Sequence, residues 1–291
     1  MRPSSFILLL TVLCSSWTTS DESNTHFTLE EALEKKFIKV KAEALEGFES
    51  DNIKLSLENL TARNLEVSIP AGTFFKSDFI EFQDMIVMEH QDVQLASMSR
   101  LSTNVKGFCT EADDLYPEVD SGFEYSGNVN PDLDSISEFL MRYPDLLAES
   151  DIIQSAIWSV TDDRGVSAIY SEGNHAVEEL RALCCRLAGQ EDVWYNTAAS
   201  IRLTEEGRMV SESTEVNGSI KLESDRALKV RSYLLNEQGE QKWSYPGTIE
   251  LPAGKVDFWF QLTVEGWPLG KYTIYYESDT EMLLAQEFVL E

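Results

Sequence analysis

The sequence predicts a mainly β protein of the α+β class with a helical insertion. Apolar and polar residues alternate with period two from Phe37 to about Glu111 and again from about Ala198 to the end of the chain. Between these two stretches, apolar residues recur at helical spacing. The chain has 291 residues, of which 43% are hydrophobic, so it is long enough to form two domains with sizeable cores. We expect these domains at 27–190 and 198–291.

The first residues have the pattern of a secretory signal peptide. Arg2 precedes an apolar run of nine residues, 6–14, and the small, polar stretch SSWTTS follows. We therefore predict a signal peptide at 1–20 and export to the extracellular space or the cell-envelope surface. The alternative is lipidation of Cys14, which would attach the protein to a membrane through a lipid anchor alone. The apolar run is half of the roughly 18 residues that a membrane-spanning helix needs.

The first β region contains runs that alternate as half-buried strands do. These runs are FIKVKAEAL, IKLSLEN, NLEVSIPAG, MIVMEH and RLSTNVKGFC. Their spacing of roughly 10 residues, with turn signals between them, predicts an N-terminal β-sandwich or barrel. The acidic stretch 110–130, which contains Pro and Gly, is interpreted as an ordered loop.

Three helical patterns follow this loop. Each has an apolar stripe; the first two have candidate N-terminal caps, and the first and third have stop signals. The first begins at Asp132 or Asp134 and ends at Pro144, the second begins at Ser150 or Asp151, and the third runs from about Asn174 to Ala188 before Gly189.

The C-terminal alternation is clearest in GKVDFWFQLTV, and the length and rhythm of its neighbours are those of an immunoglobulin-like β-sandwich. If Phe260 faces the core, Trp259 must lie on the outer face of its strand. Tyr275 is expected on an outer face in the same way, because it alternates with Ile274 and Tyr276. Trp267 lies in a turn of this region. Exposed aromatic rings stack on sugars in many carbohydrate-binding modules, so these three residues are candidate ligand contacts. The alternative is that another part of the protein covers them.

Composition and motifs exclude several functions. With 51 Asp and Glu against 23 Lys and Arg, the formal net charge is −28, which opposes binding to nucleic-acid phosphates. No GxSxG elbow, phosphate-binding loop or dinucleotide fingerprint is present, so we predict that the protein is not a conventional enzyme and needs no cofactor. The acidic pairs Asp113–Asp114 and Asp162–Asp163 fit no calcium loop. No zinc-ligand spacing relates the three histidines, so no metal site is predicted: His26, His90 and His175.

Cys109 and Gln154 form the one reactive pair that the sequence suggests. Cys109 ends the run NVKGFC, and Gln154 follows in the helical pattern IQSAIW. Here the chain resembles the thioester domains of bacterial surface adhesins, which pair a cysteine on an early β element with the glutamine of a TQxA-type helix motif. The resemblance covers roughly 37–189, and Ile153 stands where that motif has Thr.

The resemblance implies a bond between the Cys109 sulfur and the side-chain carbonyl of Gln154, with Trp158 shielding it from water. Such a thioester is attacked by an amine or hydroxyl on a target surface. Two alternatives stay open: a disulfide between Cys109 and Cys184 or Cys185, as an oxidising compartment favours, or unpaired thiols.

The function predicted from these features is that of an exported cell-surface or extracellular binding or adhesion protein. Its expected partner is an extracellular protein or glycan surface. The alternatives are a carbohydrate-binding protein that acts through the C-terminal sandwich and a non-catalytic structural protein of the cell envelope.

Overall fold

The computed structural model describes residues 26–48, 50–127 and 130–291. The predicted signal peptide and Cys14 lie outside these residues. The protein is mainly β with a helical part, which confirms the predicted fold class. The strands of the described ranges are β1 (His26–Thr28), β2 (Ile38–Ala44), β3 (Ile53–Asn59), β4 (Leu65–Ile69), β5 (Thr73–Ser77), β6 (Met85–Val87), β7 (Gln91–Leu95), β8 (Arg100–Val105), β9 (Gly107–Cys109), β10 (Gly122–Tyr125), β11 (Tyr195–Leu203), β12 (Met209–Ser224), β13 (Leu228–Asn236), β14 (Gln241–Ser244), β15 (Ile249–Leu251), β16 (Gly254–Thr263), β17 (Gly270–Glu277) and β18 (Met282–Leu290).

Four α-helices occur in the same residues. They are α1 (Leu29–Glu34), α2 (Pro131–Arg142), α3 (Ser150–Thr161) and α4 (His175–Ala188), with short 3₁₀ helices at Pro144–Ala148 and Val166–Ala168. No helix in the described ranges combines the length and apolar character required to span a bilayer.

Two sheets form the N-terminal part. One has three strands in the order β1-β4-β7, and the other has seven in the order β8-β3-β2-β10-β5-β6-β9. The β1–β4 pair is parallel, and neighbouring strands within the seven-stranded sheet are antiparallel. Buried residues of both sheets belong to one apolar cluster, here called the first core, to which Leu57 of β3 and Val67 of β4 contribute.

One end of the seven-stranded sheet is buried on both faces. Met85 of β6 and Cys109 of β9 point into the first core, whereas Ile86 and Phe108, the next residues in alternation, pack against α2, α3 and α4 in a second cluster. All three residues of β6 and of β9 are therefore buried. Because successive side chains on a strand point to opposite faces, this end of the sheet separates the first core from the helices.

The predicted loop at 110–130 contains a central strand, so this prediction was wrong. β10 lies between β2 and β5 in the seven-stranded sheet, where Phe123 pairs with Ala42 on one side and Ser77 on the other. The strand has only four residues, which is too short for alternation to stand out from an acidic stretch rich in turn residues.

The three predicted helices are present, although two begin with other caps than expected. Asn130, and neither aspartate, caps α2 by accepting a hydrogen bond from the backbone N–H of Asp132. The residue before α3 is Glu149, whose side chain makes no capping hydrogen bond. Asn174, the approximate start predicted for the third helix, is the cap of α4, and Gly189 ends the helix as expected, in the left-handed region with φ of 65°.

The C-terminal part also consists of two sheets that share a core. Their strand orders are β11-β12-β16 and β14-β13-β17-β18, with β15 pairing with β13. Phe260 faces this third core, as predicted. Two residues near the start of this part, Ile201 of β11 and Met209 of β12, reach instead into the first core. The first core therefore includes side chains from beyond residue 198.

Candidate functional site

The structure brings Gln154 directly onto Cys109. The backbone N–H of Cys109 donates to Gln154 Oε1 at 3.0 Å, and Gln154 Nε2 donates to the backbone carbonyl of Cys109 at 2.7 Å. Both residues are buried, with exposed fractions of 1% for Cys109 and 4% for Gln154. The two residues that the sequence singled out therefore lie in contact inside the protein.

The position of β9 explains why this contact forms. β9 is the last strand of the seven-stranded sheet, so only one of its edges pairs with a strand, β6. No strand pairs with its other edge, where the Asn52 side chain exchanges two hydrogen bonds with the backbone of Gly107. A buried backbone group left unpaired would be costly. The Gln154 side chain, reaching from α3, donates and accepts one hydrogen bond there, as a neighbouring strand would.

The Cys109 thiol points into the first core. Its Sγ is 3.5 Å from Sδ of Met85, the residue opposite it in the strand pair, and 3.3 Å from Sδ of Met209. Burial in these apolar surroundings raises the pKa of the Cys109 thiol well above its ordinary value, and Glu111 adds to the shift. The thiol is therefore protonated at neutral pH and is not a ready nucleophile toward solutes.

Trp158 lies one helical turn after Gln154 on α3 and packs in the first core, in the same cluster as Cys109. Its exposed fraction is 4%, so it excludes water from this region. The indole N–H of Trp158 is buried and has no hydrogen-bond partner among the described residues. This indole N–H is therefore a buried hydrogen-bond donor one helical turn from Gln154.

A cavity of about 170 Å³ opens beside these residues. Trp158 and Ser155 of α3 line one side, and Met209 of β12 lines another. Met209 therefore contacts the Cys109 sulfur and also lines the cavity. Arg164 and Glu291 contribute charged groups to its wall, and Glu291 accepts a hydrogen bond from the Gly165 N–H.

The other two cysteines lie apart from this pair in the structure. Cys109, Cys184 and Cys185 are all free thiols. Cys184 is buried in the second cluster, where its Sγ lies 3.8 Å from the carbonyl oxygen of Ala156 and burial raises its pKa to about 12. Cys185 is partly exposed.

The three aromatic residues proposed as sugar contacts do not form one surface. Trp259, with 55% of its surface exposed, lies on the outer face of the β11-β12-β16 sheet. Tyr275 belongs to the other sheet, where its ring stacks on Tyr233 with centroids 5.1 Å apart. Trp267 packs against Tyr272 at the edge of the third core. A shared stacking platform is therefore absent from these three residues.

The histidines are less isolated than the sequence suggested. His26 and His90 both lie beside Asp92: Nε2 of His90 is 3.1 Å from Asp92 Oδ1, and His26 reaches the same carboxylate through the hydroxyl of Ser68. The absence of a metal site therefore stays a prediction, although the structure brings His26, Glu66 and Asp92 together. Sequence spacing could not show this group, because the pairing of β1, β4 and β7 joins residues that are distant in sequence.

Two further residues near the core were not singled out by sequence reasoning. Arg181 of α4 is buried, and its guanidinium donates to the side chains of Asp192 and Asn196. The Glu111 carboxylate, two residues after Cys109, accepts hydrogen bonds from the Asp84 N–H and from the Thr110 hydroxyl. A charged residue within an apolar helical stripe was the only signal for Arg181.

Comparison with known proteins yields no relative. No family model and no curated protein matches the chain. Among solved structures, a β-glucosidase from Kluyveromyces marxianus aligns over 82% of this chain and 44% of its own, with 12% identity and a TM-score of 0.20. The same enzyme in complex with glucose aligns with 10% identity and a TM-score of 0.21. A β-glucosidase from Streptomyces venezuelae in complex with D-glucose aligns with 8% identity and a TM-score of 0.16.

This chain thus spans less than half the length of those enzymes, covering 44% to 46% of them. TM-scores at this level carry no argument about fold or activity. The resemblances to adhesin thioester domains and to immunoglobulin-like sandwiches therefore stay predictions.

Proposed function

We propose that the protein is an exported, cell-surface or extracellular binding protein in which Cys109 and Gln154 form an internal thioester for covalent attachment to a target. The observation that supports the proposal is the buried, two-way hydrogen bonding between the Gln154 side chain and the Cys109 backbone. The pair belongs to a sheet edge and a facing helix, the arrangement that the resemblance implies for the bond.

Bond formation follows a simple balance of atoms. The Cys109 sulfur adds to the side-chain carbonyl carbon of Gln154, the carbon–nitrogen bond breaks, and the amide nitrogen leaves as ammonia with the thiol proton. The Cys109 side chain first turns from the sulfurs of Met85 and Met209 toward the amide. The hydrogen bond from the Cys109 N–H to Gln154 Oε1 can stabilise the negative charge that develops on this oxygen.

The same surroundings would preserve the thioester until a target arrives. Trp158 and the methionines keep water away from the bond, since thioesters hydrolyse when solvated. An amine or hydroxyl that enters the adjoining cavity, past Met209, would attack the carbonyl carbon. The carbon–sulfur bond then breaks, and the sulfur recovers a proton from the attacking group, leaving an amide or ester on Gln154.

The test is the intact mass of the mature, natively purified protein. A thioester lowers the protein mass by one ammonia relative to the mass calculated from the sequence. Methylamine opens the thioester and adds the mass of one methylamine to the protein. Peptide mapping should then place the methylamide on Gln154 and a newly alkylatable thiol on Cys109.

The matched controls are Cys109→Ala and Gln154→Ala, each of which should show its full sequence mass and no methylamine adduct. A wild-type protein with full mass, an unmodified Gln154 peptide and free Cys109 would contradict the proposal. In that case the Gln154 side chain only satisfies the edge of the sheet.

Sugar binding through the C-terminal sheets is the second candidate function. The exposure of Trp259 favours it, because a free indole face is available for stacking. Trp259→Ala should then abolish binding on a glycan array, whereas Trp267→Ala, which removes a packed ring, should not change specificity. Absence of any bound glycan for the wild-type protein would rule out this function.

A further inference from the structure

The outer face of the β1-β4-β7 sheet carries a compact group of histidine and carboxylate side chains. Leu65, Val67 and Ile69 of β4 face the first core, so Glu66 and Ser68 point to the opposite face. The strand register sets His26 of β1 beside Glu66, and Asp92 of β7 beside Ser68. Side chains from three adjacent strands therefore meet on one surface.

The potential ligand atoms of this group lie close together, although not yet at the spacing of a bound metal ion. One ligand atom each of His26, Glu66 and Asp92 lies within 4.8 Å of the others. His90 adds a second imidazole, with Nε2 at 3.1 Å from Asp92 Oδ1. Zinc bonds of about 2.1 Å in a tetrahedral site set ligand atoms about 3.4 Å apart, so rotation of exposed side chains suffices to close this group around an ion.

Ser68 orients the first imidazole. This residue is 3% exposed, and its hydroxyl donates to Asp92 Oδ1 while lying 3.1 Å from His26 Nε2. Because the single hydroxyl hydrogen goes to Asp92, the Ser68 oxygen accepts from His26 Nε2–H. The unprotonated nitrogen of His26 is then Nδ1, which lies 3.8 Å from Glu66 Oε2.

We propose that His26, Glu66 and Asp92, joined by His90, form a binding site for a divalent transition-metal ion of the zinc type. Imidazole nitrogens favour such ions over calcium and magnesium, which prefer oxygen ligands alone. Two carboxylates neutralise the charge of a divalent ion. Ser68 holds the His26 ring in the ligating tautomer, as residues next to metal ligands commonly do.

The experiment is a calorimetric titration of ZnCl₂ into the mature chain, prepared without a histidine tag and stripped with a chelator. We expect one zinc ion per chain, together with a zinc-dependent rise in the melting temperature. His26→Ala and the size-matched Asp92→Asn should abolish this binding event. Ser68→Ala should weaken it by about tenfold or more.

The control is His175→Ala, which removes the exposed histidine of α4 that lies beside Glu178 and Glu179 and should leave binding unchanged. Far-UV circular dichroism of each variant checks its fold, and Asp92→Asn keeps the test valid if His26→Ala unfolds. Unchanged zinc affinity in a folded Asp92→Asn variant would overturn the proposal. So would loss of binding in His175→Ala alone, or equal affinities of the wild-type protein for zinc and calcium.

Discussion

The structural role of Gln154 can be separated from the chemical role proposed for it. Its intact amide satisfies two backbone groups of Cys109 at the open edge of β9, and the proposed thioester would give up one of these two hydrogen bonds because the amide nitrogen leaves as ammonia. Its burial follows from its position on α3 between the second cluster and the sheet. The cost of removing the amide can be measured separately from the thioester.

In a Cys109→Ala background, where no thioester can form, we predict that Gln154→Ala lowers the free energy of unfolding by about 3 kcal/mol, because it leaves a buried N–H and a buried carbonyl unpaired. Urea denaturation measures this change. Ser155→Ala in the same background is the control, since the Ser155 hydroxyl bonds only within its own helix, to the carbonyl of Asp151. Equal effects of the two substitutions would show that the sheet edge does not depend on the amide.

Glu111 provides a prediction about pH. Burial raises the pKa of its carboxyl above the ordinary value of 4.5, so the folded protein binds this proton more tightly than the unfolded chain does. The contribution of Glu111 to stability is therefore complete below pH 4.5 and is lost as the pH rises through the folded pKa. At neutral pH, the half-buried carboxylate opposes folding.

We therefore expect Glu111→Gln to raise the melting temperature at pH 7, since an amide can accept from the Asp84 N–H and donate to the Thr110 hydroxyl without a buried charge. The increase in melting temperature over wild type should become smaller as the pH falls toward 4.5. Thermal unfolding of both proteins across this range measures the difference. A variant that is less stable than wild type at pH 7 would contradict this account.

At the scale of elements, Arg181 joins the helical part to the C-terminal sheets. Its guanidinium projects from α4 and donates to Asp192 and to Asn196 and the backbone of Tyr195 at the start of β11. The side chain of Arg181 is only 8% exposed, against 64% for Asp192. A planar group with several donors suits this junction, because each acceptor lies in a different direction.

We predict that Arg181→Met destabilises the protein by about 1 to 3 kcal/mol, because it leaves the buried carbonyl of Tyr195 and the half-buried Asn196 side chain without this donor. The matched control is Arg186→Met on the exposed side of the same helix, which should change stability by less than about 0.5 kcal/mol. Denaturant titration of both variants provides the comparison. Similar losses for the two arginines would show that Arg181 acts through its aliphatic stem alone.

At the scale of the whole molecule, the formal net charge of −28 dominates the electrostatics. Ion pairs of the described residues are mostly at the surface, where each adds little to stability. Repulsion among the excess carboxylates opposes the compact state, and dissolved salt screens it. The same negative field would draw divalent cations toward the β1-β4-β7 face.

We therefore predict that the melting temperature rises as NaCl increases from about 0.01 M to about 0.15 M, over which the screening length falls from about 30 Å to about 8 Å. Differential scanning calorimetry at fixed pH measures the change. A chelator in all samples excludes stabilisation by trace metal ions. A melting temperature that falls over this range would mean that favourable ion pairs outweigh the general repulsion.

The sequence was sufficient for features that depend on neighbours along the chain. The α+β class, the strands with long alternation and the three amphipathic helices follow from the periods of apolar residues, and the Gly189 stop follows from backbone chemistry. Local patterns could not predict the β10 strand, because a four-residue segment is held in the sheet by β2 and β5 rather than by its own composition.

Only the tertiary structure decided which distant residues meet. The proximity of Gln154 to Cys109 was expected from a resemblance, but the pairing of its amide with the backbone of an edge strand depends on the order of strands in the sheet. The meeting of His26 with Asp92 likewise depends on the register of three strands. Periodicity fixes which face of a strand or helix is apolar, whereas strand order and register, set by packing across the whole chain, determine which polar groups come together.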